Sequence, residues 1–280
     1  MVTATTVLWA DGRLRDPAEP VLPGTDAGFT TGLGVFETCA VRSGRAFALS
    51  RHLARLAASL RALDLPPVPE QDVREAVTAV LGAGGPEVGR LRVTVGAGVP
   101  SGRPSLVVAA GPAPVRGPAH VVRSRWVRNE RSPLAGHKST SYAADVLALA
   151  AATSAGGNEA LLANTRGELC EGTGSNVFVE RDGELLTPAT ASGCLPGVTR
   201  ALVLEWAEEA GLPVREAHEG ELPWSVVEDL RRGEAGMALS GSLRGFAAVA
   251  VVEGTEVAAG PLTERVAALV AERSASDLDP

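Results

Sequence analysis

Short runs of alternating apolar residues recur along this chain and are separated by stretches with helical spacing. Alternation with a period of two is typical of a strand with one buried face. The runs predict strands over 35–41, 90–95, 105–110, 120–127, 159–163, 176–180 and 248–253. Apolar residues three and four positions apart predict helices over 50–63, 71–81, 140–153, 198–210 and 262–273. The alternation of the two patterns predicts an α/β protein.

A segment rich in proline and glycine, GPAPVRGP, interrupts this alternation at 111–118. Such a segment ends the preceding strand and is typical of a linker. We therefore predict a small α/β domain over 1–111, a linker over 112–118 and a larger domain over 119–280. Within the first domain, Ser50 is the predicted N-cap of the helix over 50–63.

Charge and composition exclude several classes of function. The 26 lysines and arginines are outnumbered by 33 acidic residues, which gives a net charge of −7. This balance argues against a nucleic-acid-binding protein, because a duplex requires a basic face. The apolar runs are shorter than a membrane span, and the first residues lack the pattern of a signal peptide. Cys39, Cys170 and Cys194 have neither metal nor redox spacing, so we expect buried thiols, no metal site and a cytoplasmic protein.

The segment AGHKSTSYAADV, residues 135–146, contains the one lysine and the one tyrosine of the chain. All of the other residues among the 26 lysines and arginines are arginines. An arginine can fill a general cationic role, but its guanidinium keeps its proton and cannot attack a carbonyl as a lysine amine can. Lys138 is therefore a candidate for covalent chemistry, the alternative being a solvated surface lysine.

Three other segments carry groups suited to a phosphate or to a charged ring. Glu171 lies in EGTGSN, between two predicted strands, and Val198 and Thr199 begin a predicted helix whose N–H groups suit a phosphate. Arg55 lies off the apolar side of its helix. Taken singly, these are more often an ordinary loop carboxylate, an ordinary helix start and a solvent-facing arginine. GLGVFE has two of the three glycines of a dinucleotide fingerprint and no helix pattern after it, so we reject a Rossmann fold.

Taken together, the segments GLGVFET, HLARL, CEGTGSNVF, LPGVTR and ALSGSLRG, with Lys138, resemble the class IV aminotransferases, the pyridoxal-phosphate enzymes of fold type IV. This family includes the D-amino-acid and branched-chain aminotransferases and aminodeoxychorismate lyase. The segments follow the family's order over roughly residues 25 to 250. The resemblance implies a two-domain α/β enzyme, with a small N-terminal and a larger C-terminal α/β domain. Pyridoxal 5′-phosphate would bind in the cleft between them, with Lys138 and Glu171 both on the larger domain.

The resemblance also implies roles for single residues. Lys138 would hold the cofactor as an internal aldimine and then move the Cα proton as general acid and base. Glu171 would pair with the pyridine nitrogen, and Leu195 would pack against the ring. Tyr142 would either lie near the ring hydroxyl or only pack in its helix. The phosphate would be bound by Arg55, Gly197, Val198, Thr199, Ser240, Gly241 and Ser242.

The cofactor residues do not choose between amino transfer and the lyase reaction, because both begin with loss of the substrate's Cα proton. Arg103, in GVPSGRPS, is placed like the arginine that binds the substrate carboxylate in the lyases, although Pro104 and Ser105 depart from the lyase pattern. The same arginine equally suits the α-carboxylate of a D-amino acid. SGSLRG resembles the lyases, whereas VFET and LPGVTR resemble the aminotransferases.

We therefore predict a transaminase that moves an amino group between an amino acid and a 2-keto acid. The possible carboxylate contact of Arg103 favours D-amino acids over branched-chain ones, and Thr31 and Phe36 are candidates for the substrate pocket. The first alternative is an aminodeoxychorismate lyase that releases pyruvate and 4-aminobenzoate. The second is a non-catalytic α/β binding protein. The resemblance also implies a homodimer.

Overall fold

The computed structural model describes residues 6–99 and 102–280 and divides the chain into two compact units. The first unit extends to Val115 and includes His137–Tyr142 and Asp277–Pro280, and the second consists of Arg116–Gly136 and Ala143–Ser276. The domain limits drawn from the sequence stay a prediction. The segment around Lys138 nevertheless groups with the first unit, whereas the sequence analysis placed it in the second domain.

The first unit is built on one antiparallel sheet. Its described elements are β1 (Val7–Ala10), β2 (Arg13–Arg15), α1 (Ala27–Thr30), β3 (Gly34–Arg42), β4 (Arg45–Ala46), α2 (Leu49–Ala62), α3 (Glu70–Gly84), β5 (Arg90–Gly96) and β6 (Ser105–Gly111). The strand order is β2-β1-β6-β5-β3-β4. Helices α2 and α3 contact this sheet through β3 and β6.

Side-chain alternation gives the two faces of this sheet different characters. Val35, Cys39, Leu91 and Val93 point to one face and join a buried apolar cluster with leucines and valines of α2 and α3. The register pairs Phe36 with Thr94 and Thr38 with Arg92, so these four side chains lie on the other face.

Helix α2 begins one residue before the predicted N-cap, so the assignment of Ser50 as N-cap is wrong. The cap is Ala48, which has φ 53° and makes no side-chain cap bond. Its N–H donates to the Leu278 carbonyl over 2.7 Å, while the backbone N–H and hydroxyl of Ser50 donate to the Asp279 carboxylate over 2.8 and 2.6 Å. A segment distant in sequence thus supplies the acceptors that local capping would otherwise provide.

The residues around Lys138 are fixed against the start of β3. The Phe36 N–H donates to the Lys138 carbonyl, the Thr140 N–H donates to the Gly34 carbonyl, and both distances are 2.9 Å. The hydroxyls of Thr140 and Ser141 donate to the Gly32 carbonyl. These bonds hold 138–141 in a non-helical conformation, which is why the helix predicted from residue 140 begins only at Ala143.

The second unit contains a larger, mixed sheet. Its described elements are β7 (Ala119–Arg123), α4 (Ala143–Ser154), β8 (Glu159–Ala163), β9 (Leu169–Gly172), β10 (Asn176–Arg181), β11 (Glu184–Thr187), α5 (Val198–Glu209), β12 (Val214–Glu216), α6 (Val226–Arg232), β13 (Gly236–Gly241), β14 (Gly245–Val252), β15 (Thr255–Glu256) and α7 (Pro261–Ser276). The order is β12-β11-β10-β13-β14-β7-β8-β9, and β15 pairs with β14. Strand β7 lies between parallel neighbours, and β10 and β13 are antiparallel.

The core of this unit confirms the α/β class predicted from the sequence. Buried valines and leucines of its sheet, such as Val179 and Leu239, form one cluster with Val227 and Leu230 of α6. The three cysteines are buried and free, as predicted. No helix in the described residues is both long and apolar enough to cross a membrane.

The strand predicted over 120–127 extends too far, because β7 ends at Arg123. The Trp126 N–H donates to the Ser124 hydroxyl over 3.0 Å, which closes a turn immediately after the strand. Arginine and valine continue the alternating pattern through this turn, so the pattern alone does not mark its position.

Candidate active site

Lys138 is placed beside two aromatic rings of the first unit. Its Nζ lies 4.4 Å from the centroid of the Phe36 ring and 5.7 Å from that of the Tyr142 ring. The two rings meet edge to face, with centroids 5.4 Å apart. Because Phe36 projects from the sheet face that α2 and α3 leave uncovered, the Lys138 amine lies on that face too. The structure thus brings together Lys138, Phe36 and Tyr142, three of the predicted site residues.

Arg55 belongs to a buried charge network on the opposite face of the same sheet. Its Nε and Nη2 donate to the two oxygens of Glu37 over 2.8 and 2.7 Å, and His52 Nδ1 lies 2.7 Å from Glu37 Oε2. Burial would raise the pKa of Glu37, but Arg55 and His52 outweigh it and lower the pKa to about 2. The Glu37 carboxylate therefore fixes the direction of the Arg55 guanidinium, which is predicted to bind the phosphate.

The lowered pKa of Glu37 predicts a pH dependence of stability. Because the folded-state pKa lies below the ordinary value of 4.5, the ionised carboxylate stabilises the folded chain above about pH 5. This contribution, on the order of 3 kcal/mol, is lost as the pH falls toward about 2. The free energy of unfolding is measured in urea at about pH 6 and at about pH 3. We expect the decrease between these two pH values to be smaller for Glu37→Gln than for the wild type.

Glu70 provides the matched control, because its carboxylate pairs with Arg74 at an exposed position. Glu70→Gln should keep the wild-type dependence on pH, since exposed ion pairs contribute little. If Glu37→Gln and the wild type had the same dependence on pH, the ionised state of Glu37 would not contribute to stability.

In the second unit, Glu171 is a buried carboxylate whose two oxygens have fixed donors. Arg128 Nε donates to Oε1 and the Leu195 N–H donates to Oε2, each over 2.9 Å. Arg128 also donates through Nη2 to Asp145 Oδ1 over 2.7 Å. Burial would lower the pKa of Arg128, but Glu171 and Asp145 raise it well above its ordinary value. Arg128 is therefore a permanent positive charge that orients Glu171.

Leu195 connects Glu171 to the start of helix α5. Its carbonyl accepts a hydrogen bond of 2.8 Å from Asn176 Nδ2. A Cβ at Gly197 would lie 2.0 Å from Asn176 Oδ1, so only glycine fits at this position. The predicted residues Glu171, Leu195 and Gly197 thus form one connected group, with Asn176 and Arg128 as additional members.

The start of α5 has the features of a phosphate site. The helix begins at Val198, and its N-cap, Gly197, has no side-chain cap bond. The first N–H groups of a helix have no intrahelical acceptor and carry the positive end of the helix dipole, so Val198 and Thr199 suit an anion.

Ser240 has a hydroxyl on the same face of the second unit's sheet as the Asn176 side chain. It pairs directly with Asn176 across β13 and β10, so the two side chains share a face. Its Oγ is buried and has no hydrogen-bond partner among the described residues. Such a hydroxyl is costly unless a ligand completes its hydrogen bonding, and a phosphate oxygen would do so. Gly241 follows, where a Cβ would lie 3.3 Å from the Gly174 carbonyl, and Ser242 begins the turn to β14.

Arg103 and Thr31 lie on loops of the first unit and are exposed. Arg103 lines an open cavity of about 400 Å³ together with residues that include Leu22 and Val99. The Thr31 hydroxyl donates to the Ala27 carbonyl over 2.7 Å, at the end of α1. The described contacts of these two side chains do not include Lys138, so their predicted role in the substrate pocket stays a prediction.

Several residues of the site were missed by the sequence analysis. Glu37 offered a signal, because it is a carboxylate on the apolar side of an alternating strand, between Val35 and Cys39. Arg128 offered none, since it follows a strand among other arginines. Arg92 was missed because it is the second of two arginines in a strand pattern, yet its Cζ lies 3.7 Å from the Phe36 centroid.

The fold agrees with the comparisons to known proteins. The sequence model described as amino-transferase class IV matches residues 34–252. A bifunctional aminodeoxychorismate lyase / D-amino acid transaminase of Mycobacterium tuberculosis is 29% identical over 97% of this chain and 99% of its own. A branched-chain-amino-acid aminotransferase of Pseudomonas aeruginosa is 28% identical over 93% of this chain and 90% of its own.

The solved structures include a hypothetical aminotransferase from Mycobacterium tuberculosis in a PLP-bound form. It is 28% identical, with a TM-score of 0.85, and the match covers 98% of this chain and 100% of that one. Fold and sequence thus define an enzyme of the aminotransferase type. The chain belongs to the class IV aminotransferase family, and its fold is type IV.

This membership confirms pyridoxal 5′-phosphate as the cofactor predicted from the sequence. The residues present fit the groups that such a cofactor requires. Lys138 offers an amine for its carbonyl, and Glu171 offers a buried carboxylate for its pyridine nitrogen. The start of α5 and the unpartnered hydroxyl of Ser240 offer donors for its phosphate.

Proposed function

We propose that this enzyme is a pyridoxal-phosphate-dependent transaminase that prefers D-amino acids as amino donors and 2-keto acids as acceptors. The observation that carries the proposal is the position of Lys138, bound through its backbone to β3 with its amine 4.4 Å from the Phe36 centroid. An amine held against aromatic rings suits a nucleophile better than a solvated surface charge. The similarity to a protein named as a D-amino acid transaminase supports the choice of substrate.

Each role in this mechanism belongs to the proposal. When bound, pyridoxal phosphate supplies a carbonyl carbon and a ring that withdraws electrons from the substrate's Cα. Lys138 Nζ would hold the cofactor at that carbon and, once the substrate amine occupied this place, would move the proton of the substrate's Cα. Glu171, oriented by Arg128, would pair with the protonated pyridine nitrogen. The start of α5 and Ser240 would bind the phosphate. The phosphate contact predicted for Arg55 stays a prediction, because its guanidinium pairs with Glu37 on the sheet face opposite Lys138.

Aminodeoxychorismate lyase is the second candidate, because the Mycobacterium tuberculosis relative is named for both activities. SGSLRG, at the end of β13, also resembles the lyases. In that reaction Lys138 would move the same Cα proton, but the product would be an aromatic amine and pyruvate, without a keto-acid acceptor. The branched-chain alternative is supported by the Pseudomonas aeruginosa relative. The cytoplasmic location and the homodimer stay predictions.

Three parallel reactions separate these candidates. Purified holoenzyme is mixed with D-alanine and 2-oxoglutarate, with L-leucine and 2-oxoglutarate, and with aminodeoxychorismate alone, and amino and keto acids are measured by chromatography. We expect the first mixture to form pyruvate and glutamate at a rate at least about tenfold above the second. Turnover of L-leucine alone would instead favour the branched-chain alternative. Pyruvate and 4-aminobenzoate in the third mixture alone would contradict amino transfer as the function.

A further inference from the structure

Arg92 shares an aromatic ring with the lysine of the site. Its Cζ lies 3.7 Å from the Phe36 centroid, and Lys138 Nζ lies 4.4 Å from the same centroid. The distance between Cζ and Nζ cannot exceed the sum of these two distances, which is about 8 Å. The pairing of Arg92 with Thr38 places its side chain on the Phe36 face of the sheet, the face that α2 and α3 leave uncovered.

Among the residues that the structure describes, Arg92 has no acidic partner, although it is partly buried. Its Nε donates to the Thr94 hydroxyl over 3.2 Å, and within residues 6–99 and 102–280 no carboxylate forms an ion pair with it. The comparable arginines Arg55 and Arg128 are each paired with a buried glutamate. Burial lowers the pKa of Arg92 and Arg90 lowers it further, while Tyr142 opposes them in part. A partly buried guanidinium without a carboxylate partner is stabilised by an anion that accepts hydrogen bonds from its N–H groups.

The upper limit on the distance between Arg92 Cζ and Lys138 Nζ suits the α-carboxylate of an amino acid. The amine and a carboxylate oxygen of such a substrate are about 3 Å apart, as bond lengths require. A charged hydrogen bond from that oxygen to a guanidinium nitrogen spans about 2.8 Å. A substrate whose amine takes the position of the Lys138 amine is therefore long enough to bring its carboxylate to Arg92 when the Cα–carboxylate bond points toward the guanidinium.

We propose that Arg92 binds the α-carboxylate of the substrate and so selects amino acids over simple amines. This inference rests on the proposed transaminase function and assigns to Arg92 the contact that the sequence analysis predicted for Arg103. The fork of the guanidinium matches the two carboxylate oxygens, and Phe36 holds its plane in place. The positive charge also favours keto acids, whose carboxylate has the same position relative to the reacting carbon.

The test compares substrates that differ in the carboxylate, using the holoenzyme. D-alanine and isopropylamine both carry the amine on a carbon that bears a methyl group. Isopropylamine has a second methyl group where D-alanine has its carboxylate. For Arg92→Leu, we expect kcat/KM for D-alanine to fall by about 10²-fold, while the half-reaction with isopropylamine changes by less than about twofold. Arg92→Lys, which keeps the charge but loses the fork, should recover part of the loss.

A binding measurement supplies a readout independent of turnover. Propionate has the carboxylate but no amine, and its Kd is measured by titration calorimetry. We expect this Kd to rise at least about tenfold in Arg92→Leu. Arg42→Leu is the matched control, because Arg42 stacks on Phe47 at 4.5 Å but lies six residues along β3 from Phe36, roughly 20 Å away. The visible absorbance of the bound cofactor should be unchanged in both variants.

The outcomes separate this assignment from the proposed function. If the wild type transfers no amino group from any amino acid, the transaminase function fails, while the propionate titration still reports on Arg92. If the wild type is active and Arg92→Leu keeps its propionate Kd and its kcat/KM for D-alanine, the assignment is wrong. Equal losses with D-alanine and isopropylamine, or a larger loss in Arg103→Leu than in Arg92→Leu, would also overturn it.

Discussion

Replacing Lys138 with alanine should abolish both the visible absorbance of the purified enzyme and its activity. The chain has no other lysine that could bind the cofactor carbonyl. The loss of covalent attachment and of the group that moves the Cα proton should lower kcat by about 10³-fold or more. An absorbance spectrum from 300 to 500 nm and the rate of pyruvate formation from D-alanine measure the two effects.

Lys138→Arg makes this test specific for the covalent role. An arginine keeps a positive charge near the Phe36 and Tyr142 rings, but it cannot attack a carbonyl. We expect Lys138→Arg to be as inactive as Lys138→Ala and equally colourless. Tyr142→Phe is the control, because it keeps the ring that packs edge-on against Phe36 and should keep the visible band. A coloured, active Lys138→Arg enzyme would show that attachment does not depend on the lysine amine.

Replacing Glu171 with glutamine should lower kcat by about 10²-fold and leave the cofactor bound. Glutamine keeps the size and the acceptor oxygen of the side chain, but it lacks the negative charge that holds a proton on the pyridine nitrogen. The ring would then withdraw electrons from the substrate's Cα less strongly. Single-turnover rates of Cα–H cleavage, with D-alanine and its 2-deuterated form, measure the step that should slow.

Glu184→Gln provides the control for this variant. Glu184 also pairs with an arginine, Arg215, in the same sheet, but its side chain is 43% exposed. Its replacement should leave both kcat and the isotope effect at wild-type values. If Glu171→Gln also kept the wild-type kcat, the carboxylate would not act on the cofactor ring, and its bonds to Arg128 and Leu195 would be purely structural.

The parts of the fold that could be predicted are those with a strong local pattern. Strand β8 has the bounds that its apolar run predicts, and α5 begins at Val198, where the loop motif ends. Patterns of this kind depend on residues close in sequence. Strands such as β12 and β15 are only three and two residues long, so they are too short to show alternation.

The parts that could not be predicted depend on contacts between distant residues. Ser50 has the chemistry of an N-cap, yet the carboxylate of Asp279 decides where α2 begins. In the same way, Lys138 is unusual in the composition, but only the pairing of its backbone with Phe36 shows which ring it faces. Arg128 and Arg92 differ from the other arginines through their neighbours in space, which no local pattern records.

The discontinuous first unit has a consequence for the order of events during synthesis. Its sheet and the helices over 49–84 emerge early, but the segment at 137–142 and the residues 277–280 emerge much later. The amide of Ala48 therefore lacks its acceptor, the Leu278 carbonyl, until residue 278 has been translated. Domains generally fold as units from the N-terminus while the ribosome is still at work. Here the unit that comes first along the chain is completed after most of the second has already left the ribosome.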